Sequence, residues 1–222
     1  MTATTVLSPH PDDAVLSLWH VLAGPGDVDV VNVFGGEPAG SELGWWDALS
    51  GASDPQSCMA ERWAEDRAAL ALCGRKATNL EFIDLQYRRE EQPLEPLVEA
   101  IQAAAPAGLL LAPSNVAGDH PDHALVRDAA LALRENGREV VLYADLPHAT
   151  RNGVPRWRAL SLDGHGDTEP PEVHELSAAE AERKREAAER YRTQFPLLDR
   201  EFSLTDRPEL LRSEVTWRLP AS

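Results

Sequence analysis

Within the run Ser8-Pro9-His10-Pro11-Asp12-Asp13 the chain offers one imidazole and two carboxylates. A related run, His120-Pro121-Asp122-His123, lies in mid-chain. Imidazole and carboxylate are ligands that a catalytic zinc takes, and such a site keeps one position open for water. The two runs can bring His10, Asp13, His120 and His123 to one point, which leaves Asp12 to act as a base. Pro11 suits the first turn of a helix, where its missing N–H costs nothing. His10 then ends a strand and Asp13 enters a helix, so both can face one ion while Asp12 points differently. His120 and His123, three apart at a helix start, hold neighbouring positions on one face, and both could ligate.

For the two runs to meet, each must leave the same end of one sheet. Strands are expected over 3–8, 27–34, 80–85, 108–113 and 139–146, each short and rich in Val, Ile or Leu. Helices are expected over 12–23, 57–73, 94–104, 121–136 and 178–192. In the second of these, Met59, Trp63, Leu70 and Cys73 approximate an apolar stripe ending at Gly74. In the fourth, Ala124, Leu125, Ala129 and Leu133 can face the sheet, and Gly137 ends the pattern. The alternation predicts a Rossmann-like three-layer α/β/α sandwich with a mostly parallel sheet and right-handed crossovers. Ligands of such sheets bind beyond the carboxyl ends of the strands. His10, Gly35-Gly36, Asp84 to Tyr87, Asn115 to His123 and Pro147-His148 all fall there. After residue 150 the pattern changes to short strands over 157–162, 172–176 and 214–219, with 164–171 as a polar loop. One domain over residues 1–222 is expected.

Composition narrows the partners. The 222 residues are 43% hydrophobic and 26% charged, as in a soluble globular protein. A formal net charge of -16 argues against nucleic acid or an anionic membrane and is compatible with a small-molecule substrate. Association with further copies of the chain is left open. Cys58 and Cys73 form no CxxC pattern and read as buried free thiols of a reducing, cytoplasmic setting. No signal peptide and no membrane span is expected. Arg outnumbers Lys heavily, which goes with a GC-rich bacterial genome.

The two His-Pro-Asp runs carry a resemblance to the PIG-L/LmbE family of zinc-dependent N-deacetylases. So do Arg62-Trp63-Ala64-Glu65-Asp66 with Leu72-Cys73-Gly74, and Lys184, Ala187 and Tyr191-Arg192-Thr193-Gln194 near the end. The resemblance implies a metal held by His10, Asp13 and His123. It also implies a catalytic Asp12, and a free imidazole at His120 beside the open position. Asp122 is then expected to hold His120 in one tautomer and to favour its charged form. Arg62 falls at the family's substrate-binding position, its alternative being a surface pair with Glu65 or Asp66. Trp45 and Trp46 can offer an aromatic platform to substrate or pack onto the core, and His148 can reach the pocket. His20, His165 and His174 read as structural or solvated. Two departures stand out: Ala14 where many members have Glu, and Gly118 where some have Tyr, a role that Tyr87 or Tyr143 could take over.

The activity this implies is removal of an acyl group from the nitrogen of an N-acyl amino sugar or related small molecule. Two alternatives stand beside it. One is an amidase cleaving thiol (mycothiol-like) conjugates. The other is a ligand-binding module without turnover, which would have no need of Asp12.

Overall fold

Five short segments, all but the third rich in Val or Leu, become the parallel strands of one sheet in the computed structural model, which describes residues 3–118, 120–151 and 157–220. They are β1 (Thr4–Ser8), β2 (Val28–Asn32), β3 (Ala77–Asn79), β4 (Leu109–Pro113) and β5 (Glu139–Tyr143). A hairpin of β6 (Ser161–Leu162) and β7 (Gly166–Asp167) stands apart from the sheet. The sheet is completed by β8 (Glu172–Glu175) and β9 (Ser213–Arg218), in the order β3-β2-β1-β4-β5-β9-β8, with β9 antiparallel to both neighbours.

Successive side chains of a strand face opposite ways, and here each face meets helices. Leu7, Leu110, Ala112, Val140 and Leu142 pack beneath α4 (Leu94–Ala104) and α5 (Pro121–Glu135). Val6, Leu111, Val141 and Tyr143 pack on the other side. There they meet α1 (Asp13–Ser17), α2 (Trp19–Leu22), α3 (Pro55–Ala71) and α6 (Ala178–Ala188). The outcome is the expected three-layer α/β/α sandwich. A smaller cluster of Leu16, Leu146, Leu198, Phe202, Leu204, Leu210 and Leu211 gathers around α7 (Phe195–Phe202), a helix that periodicity did not single out.

Several boundaries moved for identifiable reasons. The third strand is 77–79, not 80–85: the apolar residues Leu80 and Phe82 fill the core just past the strand end. Helix 12–23 is broken at Leu18, because Glu214 from β9 accepts the N–H groups of Trp19 (2.8 Å) and His20 (2.8 Å) and restarts the helix there. The last long helix stops at 188, where the N–H groups of Arg190 and Tyr191 turn to carbonyls three residues back, and Asp66 and Glu65 of α3 hold the following turn through the Tyr191 hydroxyl and the Thr193 N–H. Only 161–162 of the expected strand 157–162 pairs, with 166–167 from the supposed loop.

The stripe expected on α3 is also different. Met59 and Leu70 are buried as expected, but so are Arg62, Glu65 and Asp66, each with a polar partner elsewhere. On α5, Ala129 and Leu133 are buried with Val126 and Ala130, while Ala124 and Leu125 are only half-buried. Gly74 (φ 71°) and Gly137 (φ 89°) close α3 and α5, each letting the next N–H reach a carbonyl five residues back. Both cysteines are free, Cys58 buried and Cys73 half-buried.

Glu214 and Lys184 make this packing sensitive to substitution, since both side chains are almost fully buried and 2.6 Å apart. Glu214 also accepts from the His20 ring at 2.6 Å if that nitrogen is protonated. Removing one partner of such a pair costs about 3–5 kcal/mol. Urea unfolding of Glu214→Leu should show a loss of about that size, because Lys184 and two helix N–H groups lose their acceptor. Lys184→Met should cost less, since Glu214 keeps its other donors.

Candidate active site

Ser8, the last residue of β1, shapes the first motif. Its hydroxyl donates to the His10 carbonyl (2.6 Å) and accepts from the Ala14 N–H (3.0 Å), folding the intervening residues into a tight turn. Within that turn Asp12 sits at φ 142°, ψ -36°, in a region that costs a non-glycine residue about 1–3 kcal/mol. The turn sends Asp13 back under His10, whose own N–H donates to Asp13 Oδ2 at 2.8 Å. From the neighbouring β4, the loop through His120 starts α5 with Pro121 and aims His123 at the same carboxylate.

Asp13 Oδ2 lies 3.3 Å from His10 Nδ1 and 3.4 Å from His123 Nε2. Two ligands bonded at 2.0–2.1 Å to a tetrahedral ion stand ~3.3 Å apart, so the spacing suits a shared cation. His123 Nε2 is buried with no hydrogen-bond partner, as a nitrogen kept for an ion would be. Nitrogens of His10, His120 and His123 also lie within 4.8 Å of one another. A second grouping, His10 with Asp84 and Asp122, is as tight. Its carboxylates are already matched by guanidinium groups, Asp84 by Arg62 (3.3 Å) and Asp122 by Arg88 (2.5 Å), which disfavours a cation there.

Charge follows the geometry. Burial pushes Asp13 up, but His123 and His10 beside it outweigh burial and hold it well below the usual carboxylate range. Burial pushes His10 down, and Asp84, Asp122 and Asp13 reverse this and raise it. Burial likewise opposes the charge on His123, yet Asp13 and Asp145 lift it to about 10. Asp12 is raised to about 8, first by burial and then by the charge of Asp13.

His10, Asp12, Asp13, His120, His123, Arg62, Trp45, Trp46 and His148 all border one cavity of about 250 Å³. Leu16, Pro147 and Leu198 add apolar lining, with Arg151 and Glu201 among the other lining residues. Trp45 is 66% exposed, while the Trp46 indole N–H donates to Gln194 Oε1 at 2.7 Å. Arg62 is 3% exposed and meets Asp84 and Asp47, so the expected alternative, a surface pair with Glu65 or Asp66, is not found. The His148 ring stands 5.5 Å from that of His120 and 5.4 Å from that of His123.

Asp122 corrects the sequence reading. Its carboxylate faces His10 Nε2 (3.1 Å), accepts the Leu85 N–H (3.0 Å) and pairs with Arg88, so it is engaged away from His120. His120 is accordingly not favoured in its charged form. Burial, then the neighbouring imidazoles of His10, His123 and His148, lower it to about 3, so it is neutral at pH 7. The tyrosine missing at Gly118 is not replaced by Tyr87 or Tyr143. Their hydroxyls donate to Asp47 (2.7 Å) and to the Leu7 carbonyl (2.8 Å), and neither lines the cavity. Two further acids complete the site: Asp84, expected at this end of the sheet but without a stated role, against Arg62, and Asp145, which sequence reasoning missed, against His123 Nδ1 at 3.2 Å. Asp145 is a polar residue just beyond an apolar run, a signal too common to single it out.

A parallel sheet with paired His-Pro-Asp turns at adjoining strand ends, opening into one cavity, defines a class of α/β hydrolases. The chain belongs to the PIG-L family: the family model described as GlcNAc-PI de-N-acetylase matches residues 5–133. A search of curated proteins finds no match. Among solved structures, the chain resembles the A40926 pseudoaglycone deacetylase Dbv21, with 30% identity and a TM-score of 0.78 over 100% of this chain and 99% of that one. A deacetylase triple mutant of the teicoplanin biosynthetic pathway matches at 28% identity and TM-score 0.79, with the same coverage. The zinc-inhibited form of the teicoplanin deacetylase Orf2 matches at 25% and 0.76, again with that coverage. The activity that goes with this family and these neighbours is hydrolytic N-deacetylation. No helix among the described residues is long and apolar enough to cross a membrane.

Uptake of a divalent cation should depend steeply on pH. His123 is protonated below about 10 in the metal-free protein and must lose a proton to ligate, whereas Asp13 is already ionised. Affinity should therefore rise from pH 6 to pH 9, with protons released on binding. Calorimetry in buffers of different ionisation enthalpy measures both. A pH-independent affinity would mean that His123 is not a ligand.

Proposed function

We propose that this chain is a single-domain, zinc-dependent deacetylase that removes an acetyl group from the nitrogen of an amino sugar. The sugar is of the kind carried by a natural-product pseudoaglycone. The observation that carries this reading is Asp12, held on strained backbone beside the convergence of His10, Asp13 and His123. Strain of this kind gathers at active sites and ligand clamps alike; a cavity-lining carboxylate that has no part in the ligand set is what favours chemistry over binding alone. The deacetylase neighbours that act on A40926 and in the teicoplanin pathway support the substrate class. The nitrogen and oxygen donors support zinc.

His10 Nδ1, Asp13 Oδ2 and His123 Nε2 would hold the ion. When bound, zinc polarises the acyl oxygen and lowers the pKa of water. Asp12 takes the proton of the attacking water and can give it back to the departing amine, since burial and the neighbouring Asp13 raise its affinity for protons. His120, neutral and beside the ligands, can donate an N–H to the oxyanion. A donor of that type is worth about 10² to 10³ in rate. Arg62, neutralised by Asp84 and Asp47, orders the cavity wall and can share a donor with a sugar hydroxyl. Trp45 lies exposed at the rim, where a sugar or its aglycone can lie against it.

Acetate release should be measured with the zinc-loaded enzyme over N-acetyl amino sugars, free and on glycoside or pseudoaglycone carriers. Wild type should hydrolyse at least one of them. Asp12→Asn should keep its zinc and lose about 10² to 10⁴ in kcat. Asp12→Gly should be as inactive yet more stable than wild type by about 1 kcal/mol, because glycine accepts the positive φ without strain. Absence of turnover on every substrate, or full activity in Asp12→Asn, refutes the reading.

A further inference from the structure

Each imidazole of the ligand set has a carboxylate on both of its nitrogens. For His10 they are Asp13 at Nδ1 and Asp122 at Nε2. For His123 they are Asp13 at Nε2 and Asp145 at Nδ1, the latter at 3.2 Å with both side chains at most 2% exposed. Asp145 lies two residues past the end of β5 and borders no part of the cavity. It cannot touch substrate, so whatever it does it does through His123.

Its own orientation is set from two sides. Ser114, just past β4, donates its N–H to the Tyr143 carbonyl (2.8 Å) and its hydroxyl to Asp145 Oδ2 (3.2 Å). The Asp145 carbonyl accepts the Ala149 N–H (2.8 Å), which fixes the following turn. One carboxylate oxygen is thus taken up by Ser114 and the other is presented to the ring. A neutral imidazole donates from one nitrogen and accepts at the other, so an acceptor fixed at Nδ1 places the proton there and the lone pair on Nε2. Nε2 is the buried nitrogen that faces Asp13 at 3.4 Å without a hydrogen bond.

We propose that Asp145, braced by Ser114, is a positioning residue that holds His123 in the Nδ1–H tautomer and turns its Nε2 lone pair to the metal. The proposal rests on the ligand set given above. It extends the carboxylate–histidine–metal arrangement to the half of the site contributed by β4 and β5. Carboxylates behind ligating histidines typically carry 10–100-fold of metal affinity.

The test is zinc titration of the metal-free protein against a chromophoric chelator, together with proton NMR of the zinc-loaded form. Wild type should bind one ion tightly and show a downfield, slowly exchanging His123 Nδ1–H. Asp145→Ala should bind zinc about 10–100-fold more weakly and lose that resonance. Asp145→Asn, whose amide oxygen can still accept the ring N–H, should retain part of both. Ser114→Ala should weaken binding by less than Asp145→Ala, with a faster-exchanging Nδ1–H. These two milder variants carry the test if Asp145→Ala does not fold. Urea unfolding of the metal-free variants separates positioning from general destabilisation. Wild-type zinc affinity in Asp145→Ala or Asp145→Asn overturns the proposal. So does an affinity loss that tracks metal-free stability while the Nδ1–H signal is unchanged. Failure of wild type to bind zinc would refute the metal assignment itself.

Discussion

A chain of buried polar contacts across the carboxyl ends of the central strands is the constraint to which the site answers. It runs from Ser114 to Asp145, His123, Asp13, His10, Asp122 and Arg88, with each step between 2.5 and 3.4 Å. Acid and base alternate along it, so every carboxylate has a cation on at least one side. Burying such groups unpaired would cost several kcal/mol each, and only this alternation makes the cluster tolerable in the absence of an ion. The same alternation leaves Asp13, the central carboxylate, between the two imidazoles that an ion would share with it.

The frame around that chain is polar as well. On α3, three charged residues lie on the buried face because each finds its partner on a different element: Arg62 on the loop carrying Asp84, Asp66 at Tyr191 (2.8 Å), and Glu65 at Thr193 (2.7 Å). The turn after α6 is pulled out of helical geometry by the last two of these bonds. Gln194, next in line, reaches Trp46 and so ties the loop after β2 to the same turn. This clamp sets one wall of the cavity, while α7 and its leucines set another. These two cavity walls are therefore built on segments outside the sheet.

Asp12 shows how such a frame stores energy at a functional point. Its backbone is forced to positive φ by the Ser8 bridge, and its carboxyl is raised by burial beside Asp13. Neither condition favours the folded state, and both are imposed by bonds that do. His120 differs in kind. Surrounded by three other imidazoles, it stays neutral and keeps an N–H to offer without carrying a charge that would repel an ion.

The layered α/β fold, the meeting of the two His-Pro-Asp runs and the neighbourhood of Arg62, Trp46 and His148 were legible in the sequence. Apart from Arg62, which only the family resemblance pointed to, they rest on local information: apolar runs of strand length, proline at helix starts, and the rule that adjoining parallel strands present their carboxyl ends together. Tertiary structure alone decided which carboxylate serves which imidazole. Asp122 lies two residues from His120 in the chain, yet Leu85 and Arg88 from a distant loop draw it to His10. Asp145 reaches His123 only because β4 and β5 pair in register. The break at Leu18, the early end of α6 and the polar underside of α3 have the same origin. In each, a buried hydrogen-bonding group finds its partner far away in sequence, and the requirement that it be satisfied overrides the local preference of the segment that bears it.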